Sequence, residues 1–299
     1  GVKGLSLFLC PCTRSDGSRN AVTVTRIEEK MGLHASPTCQ LAFDNAEAEL
    51  VGDEGQGLAA MFAMMNHART DVALQGVAHA ARAYDIAASY AAERQQGRSP
   101  EGAPVTIDQH ADVRRMIDEI DRLALGARAI AHLACVTMER GDNSALVEFL
   151  TPLAKVYCTE AGMRAAELGM QVLGGYGYLR EYRIEQTYRD ARITAIYEGT
   201  NGIHARMMAT RLAGSAAGDA FVSYLQKEAS RLSSEKAVML LERWQTTRKR
   251  VLNAKDPSVL AEDFLQASIK ALLACVWANL DHNKSHHPDG ARLERLCRN

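Results

Sequence analysis

The spacing of apolar positions changes along the chain, and the change divides it. Over residues 4–10 a short apolar run, GLSLFLC, reads as a strand. Over 21–27, AVTVTRI, apolar and polar residues alternate as on a half-buried strand. SDGSRN at 15–20, between them, has turn chemistry. A third run, TCQLAF at 38–43, stops at Asp44 and Asn45. Two or three strands leave a sheet edge open, so residues 1–52 are expected to be the end of a larger β unit. The chain opens without an initiator Met and already in strand pattern, which predicts a piece whose N-terminal portion is missing.

Past GDEGQG at 52–57 the period becomes helical. Leu58, Met61, Phe62, Met65, Val72, Val77, Ala80, Ala81, Tyr84 and Ala88 predict one helix to about Arg94, stopped by Gly97 and Pro100. A second is predicted from Ile107 to Arg140, with Val113, Met116, Ile117, Ile120, Leu123 and Leu125 on its apolar positions. A third runs from near Leu146 to the pair Gly174 and Gly175, with Pro152 in its first turns, where proline is tolerated. Alanine at this density lets helices approach closely, and long antiparallel helices of this kind form a bundle. Ile184, Tyr188 and Ala191 mark a short helix, and Thr200 with Asn201 caps another from Gly202 to about Leu212. GSAAG at 214–218 reads as a linker to a helical tail carried by Phe221, Leu225, Leu241, Leu265, Ile269 and Leu272. The fold class is mainly α, with the end of a β domain at 1–52, a helical bundle at 53–213 and a helical extension at 214–299.

Composition changes this picture little. With 47% apolar and 24% charged residues and a net charge of −1, the chain is globular in type. It has no basic excess for nucleic acid or an anionic membrane. No apolar run approaches the roughly 20 residues of a membrane span, and no signal-peptide pattern opens the chain. Seven scattered cysteines do not form a disulfide framework and suit a reducing cytoplasm. Cys10 and Cys12 have no second pair at ligand spacing, so they read as strand-end cysteines and no metal is expected. Arg248, Lys249 and Arg250 read as a solvated helix face, and His286 with His287 as loop residues.

Candidate chemistry gathers in QVLGGYGYLREYRIEQTYRDARITAIYEGTNGI at 171–203. From its neighbours alone Glu198 is either a solvated cap residue or a general base. Ile193, Ala195, Ile196 and Tyr197 give it an apolar setting, which favours the base, and Gly199 lets the backbone approach a ligand closely. Gly174 and Gly175 read as a helix C-cap. They follow a helix rather than a strand, the wrong order for a Rossmann turn.

This stretch resembles the C-terminal signature of the acyl-CoA dehydrogenases, through its glycine pair, its YRDARI run and its IYEGT turn. Upstream, RIEEKMGL at 26–33, the run at 38–43 and GQGL at 55–58 resemble the end of that family's middle β domain and the entry to its bundle. HASPT at 34–38, ERQQG at 93–97 and the long helical tail resemble the larger bacterial branch that includes 3-methylmercaptopropionyl-CoA dehydrogenase. The resemblance implies FAD-dependent α,β-dehydrogenation of an acyl-CoA thioester, with Glu198 removing the α-proton and its own backbone N–H binding the thioester oxygen. Some relatives carry the base one residue before an arginine on the first bundle helix; here that position is Ala68, before Arg69, and alanine takes no proton.

Further roles follow from matched positions. Arg94 and Gln96 correspond to residues that hold the ADP moiety of a neighbouring subunit's flavin, as do Gln171, Gly174 and Gly175; Thr200 and Asn201 lie at the flavin as well. His110 matches a flavin contact and reads equally as a polar helix-start residue; Asn66 and Arg69 match positions near substrate and read equally as helix-face residues. Two positions depart from the pattern: Gln96 leads straight to Gly97 without the usual aromatic, and Gly202 replaces an amide for which Asn201 stands in. The implied partners are an acyl-CoA substrate, an electron-transferring flavoprotein and further copies of the chain in a homodimer or homotetramer. The family's N-terminal helical domain and first β strands have no counterpart here, so weak flavin retention is expected of these residues alone. An acyl-CoA oxidase of the same fold and a non-catalytic helical scaffold are the alternatives.

Overall fold

The computed structural model describes residues 4–297, apart from the side chains of Phe62, Ala63 and Asn66. Two compact units divide the chain, one up to Ala68 and one from Arg69. In the first, four strands follow in order: β1 (Leu7–Leu9), β2 (Val22–Ile27), β3 (Cys39–Phe43) and β4 (Glu49–Val51). They pair as two antiparallel ribbons, β1 with β4 and β2 with β3, with a register shift between Val24 and Arg26. Neither ribbon carries a covering layer of its own among the described residues, and Phe8, Ile27 and Phe43 are about 60% exposed (58%, 63% and 60%). Asn20 is buried and pins the loops, its amide donating to the carbonyls of Pro11 and Glu47, both at 2.8 Å.

Helix α1 (Gly57–Glu93) starts in this unit and continues into the second. A hairpin of β5 (Gln95–Arg98) and β6 (Pro104–Thr106) follows it. The helix expected from Ile107 begins later: Ile107–Gln109 is a 3-10 turn, and α2 (Ala111–Arg140) starts beyond His110. Helix α3 (Ser144–Leu173) begins earlier than its apolar pattern, because the Asn143 side chain accepts from the Leu146 N–H at 3.0 Å. Pro152 therefore lies inside the helix and not in its first turns.

Bare backbone brings α1 and α3 together. A Cβ at Gly76 would stand 2.3 Å from the carbonyl oxygen of Cys158, and one at Gly162 would stand 2.8 Å from that of Gly76. Ala73, Ala80, Ala83, Ala87 and Ala91 along the same helix are completely buried.

Helices α4 (Ile184–Arg192) and α5 (Asn201–Met207) precede a π-helical turn at Met208–Leu212. GSAAG is not a linker: Ser215 accepts from the Ala217 N–H and caps α6 (Ala216–Leu232). Helices α7 (Glu235–Leu252), α8 (Ala261–His282) and α9 (Gly290–Cys297) complete the tail. Phe149 of α3 stacks on Phe221 of α6 at 4.2 Å between centroids, and Trp244 of α7 meets both Phe221 and Phe264 of α8. The buried Trp244 N–H donates to Ser268 at 2.8 Å. The tail thus shares the core of α3. Arg248, expected on a solvated face, is half-buried; it lies over Trp244 and donates to the Ala213 carbonyl at 2.6 Å and to Asp219.

A charged clamp holds α9. Asp121 of α2 is completely buried and accepts two bonds from Arg292, at 2.8 and 2.5 Å, while the same guanidinium lies over the Tyr84 ring of α1. Arg295 pairs with Asp118 at 3.1 Å.

Candidate active site

After α4 the backbone makes a 3-10 turn at Ile193–Ala195 and reverses before α5. Glu198 has φ 54° and Gly199 φ 90°, both left-handed. For a residue with a Cβ this conformation costs on the order of 1–3 kcal/mol and persists only where its surroundings hold it. The holders are visible. The buried His204 of α5 puts Nε2 3.0 Å from the Glu198 carbonyl oxygen. That contact requires the proton on Nε2, which leaves Nδ1 bare; it meets no partner among the described residues. Lys155 of α3 donates to the next carbonyl, that of Gly199, at 2.8 Å and to Asn201 Oδ1 at 3.0 Å. The Asn201 amide donates onward to Glu160 at 3.2 Å. Thr200 caps α5 by accepting from the Ile203 N–H. The Glu198 N–H donates to no backbone acceptor among the described residues.

Charge gathers around the half-buried Glu198. Lys155 is completely buried, and burial lowers its ammonium to about 8, with Arg69 adding to the shift and the Glu198 carboxylate opposing it. Burial, then Arg69 and Lys155, push the His204 imidazole down to about 4. Burial raises the Glu160 carboxyl even though Asn201 donates to it. Arg69 is lowered by burial and raised by Glu198. The apolar setting anticipated for Glu198 is only partial: Ile196 is 43% exposed, Tyr197 donates its hydroxyl to Gln75, and two cations stand near.

A second group of candidate residues meets elsewhere in the unit. Arg94, Gln96, His110, Gln171, Gly174 and Gly175 line one cavity of about 720 Å³. The Arg94 guanidinium lies 5.5 Å from the Tyr176 ring centroid and forms no ion pair among the described residues. Gly174, with φ 59°, ends α3, and no atom lies within 4 Å of where a Cβ on Gly174 or Gly175 would stand. His110 does not cap α2 with its side chain; its Nε2 lies 2.8 Å from the Gln96 carbonyl oxygen. Thr200 and Asn201 line a different cavity of about 640 Å³, with Glu160, Arg164 and Arg192 on its wall. The Asn66 side chain lies outside the described residues.

Lys155, Glu160, His204 and Gln75 were not among the residues singled out from sequence. One signal for Lys155 was present. Thr151, Lys155 and Thr159 recur every fourth residue within an apolar helix, and all three are buried. Polar residues on the inner face of a helix need internal partners.

Residues 55–213 match the family model described as acyl-CoA dehydrogenase, C-terminal domain. The 3-methylmercaptopropionyl-CoA dehydrogenase of Ruegeria pomeroyi is 43% identical over 222 residues, covering 69% of this chain and 38% of that protein. Among solved structures, Caenorhabditis elegans ACDH-11 in complex with C11-CoA superposes with a TM-score of 0.83 at 20% identity, over 100% of this chain and 53% of that one. An acyl-CoA dehydrogenase complexed with FAD from Bacillus anthracis gives 0.68 at 22% identity, over 95% and 57%. The chain therefore spans little more than a third to about half the length of these proteins.

Proposed function

The chain belongs to the acyl-CoA dehydrogenase family, and on that premise we propose that it carries the proton-abstracting half of an FAD-dependent acyl-CoA dehydrogenation. The observation that carries the reading is the held, left-handed Glu198, a half-buried carboxylate beside Arg69 and Lys155. Glu198 takes the proton from the carbon α to the thioester, and the electron pair left behind moves toward the thioester carbonyl. The backbone N–H of Glu198 donates to that oxygen as its negative charge grows. When bound, FAD supplies the acceptor for the β-hydrogen, which leaves as hydride. Arg69, whose guanidinium feels the Glu198 carboxylate, is the cation on α1 nearest to where the acyl thioester would lie.

The residues present suit an adenine dinucleotide. Arg94 offers phosphate an ion pair that no carboxylate among the described residues takes. The open backbone at Gly174 and Gly175 admits a ligand to contact distance. Gln96, His110 and Gln171 complete that cavity. It shares no lining residue with the cavity at Thr200 and Asn201. This separation supports a flavin shared between two copies of the chain, hence a homodimer or homotetramer, with an electron-transferring flavoprotein as the acceptor that reoxidises it.

The test is the visible spectrum of the protein in the presence of added FAD, titrated anaerobically with butyryl-, octanoyl- and lauroyl-CoA. Bleaching of the flavin band is expected, and Glu198→Gln is expected to slow it by at least about a hundredfold, the scale of a lost general base. Bleaching by Glu198→Gln at the unaltered rate would refute the assignment.

A further inference from the structure

Two successive carbonyls of the turn, those of Glu198 and Gly199, each accept from a buried donor, and the donors come from different helices. A trans peptide carries its N–H opposite its C=O. Fixing both carbonyls on the inner side therefore fixes the two peptide planes that follow Glu198 Cα. Gly199, with φ 90°, lies between them, and Glu198, which leads into the first, is left-handed at φ 54°, a conformation uncommon outside glycine. The fit is close: a Cβ on Gly199 would stand 3.0 Å from His204 Nε2. Lys155 also grips Asn201, the first residue of α5, so the turn and the start of that helix are tied to α3 by one ammonium.

We propose that Lys155 and His204 are positioning residues for Glu198, holding the strained turn from which its carboxylate reaches substrate. A buried ammonium is unfavourable unless hydrogen bonds to well-placed acceptors compensate it. Its two acceptors are the Gly199 carbonyl of the turn and the Asn201 side chain at the start of α5. Simple filling of the α3 core would be served better by methionine. The bare Nδ1 of His204 supports the same view, since a histidine kept only for packing would be replaceable by leucine without leaving a buried nitrogen unpaired. The proposal rests on the reading of Glu198 as the base.

The test compares Lys155→Met, His204→Leu and His204→Gln with the unaltered FAD-loaded protein, and Glu198→Gln alongside. Two readouts are taken: the rate of anaerobic bleaching by octanoyl-CoA as a function of its concentration, and amide hydrogen exchange of the peptide covering residues 196–201. Both apolar variants are expected to lower the limiting bleaching rate by about tenfold to a hundredfold, the scale of a misplaced reacting group. The half-saturating concentration is expected to stay near its original value, and exchange in the turn to accelerate. His204→Gln, whose amide again donates to the Glu198 carbonyl, is expected to recover most of both. If Glu198→Gln is inactive while His204→Leu bleaches at the original rate with unaltered exchange, the positioning role is overturned and the base stands. If Glu198→Gln bleaches normally, the base assignment falls first and the proposal with it. Should Lys155→Met fail to fold, the leucine and glutamine pair at His204 decides alone.

Discussion

Burial keeps the His204 imidazole neutral down to about pH 4, whereas in the unfolded chain the ring takes up its proton near its ordinary 6.5. Between those values the unfolded chain binds more protons, so stability falls as pH falls, by about 3 kcal/mol in all for this one group. Denaturant unfolding at a series of pH values should show His204→Gln with a flatter acid limb than the unaltered chain; parallel curves would mean that the ring is not held neutral. The same residue marks the limit of reading the site from sequence. Glu198 stands next to glycine in a turn; its local pattern left a cap residue and a base both open, and the family resemblance marked it as the base. The turn that presents it is bonded to Lys155, 44 residues from Gly199, and to a ring whose burial only the folded helices create. Arg94 and Gly174 were likewise visible one by one, but nothing local says that they meet in one cavity.

Helices were legible where an apolar stripe ran long enough to establish a period, as in α1, α2 and α8. Their ends were less so, because ends depend on single caps: Asn143 starts α3 two residues before the predicted Leu146. Strand β4 and the β5–β6 hairpin escaped, since three or four residues such as ELV, QQGR and PVT are too short to display alternation. Close helix approach was expected from alanine, and at its tightest point it uses glycine instead. Gly76→Ala would place a methyl 2.3 Å from the Cys158 carbonyl, with backbone on both sides and little room to yield. The expected loss is about 1–3 kcal/mol, read as a lower denaturant midpoint at unchanged m-value. An unaltered midpoint would show that α1 and α3 do not pack as described.

At the scale of the whole chain, residues 214–299 do not form a separate bundle, because Phe221, Trp244 and Phe264 converge on Phe149 of α3. The apolar stripes of the tail were readable; their destination was not, since a stripe tells only which face is buried. Phe221→Ala is expected to cost about 3–5 kcal/mol and to lower the melting of α3 together with the tail in a single transition followed by far-UV circular dichroism. A tail that melts first, leaving the remainder at its original temperature, would contradict a shared core. The clamp on α9 has a consequence for how the chain is made. Arg292 leaves the ribosome 171 residues after the Asp121 it must meet. Until then the carboxylate of α2 has no guanidinium, and sealing it from water would be strongly unfavourable. The side of the bundle around Asp121 and Tyr84 is therefore expected to stay hydrated until α9 has been made and docks. A ribosome stalled before α9 would hold an open intermediate, exposed there to chaperones and proteases.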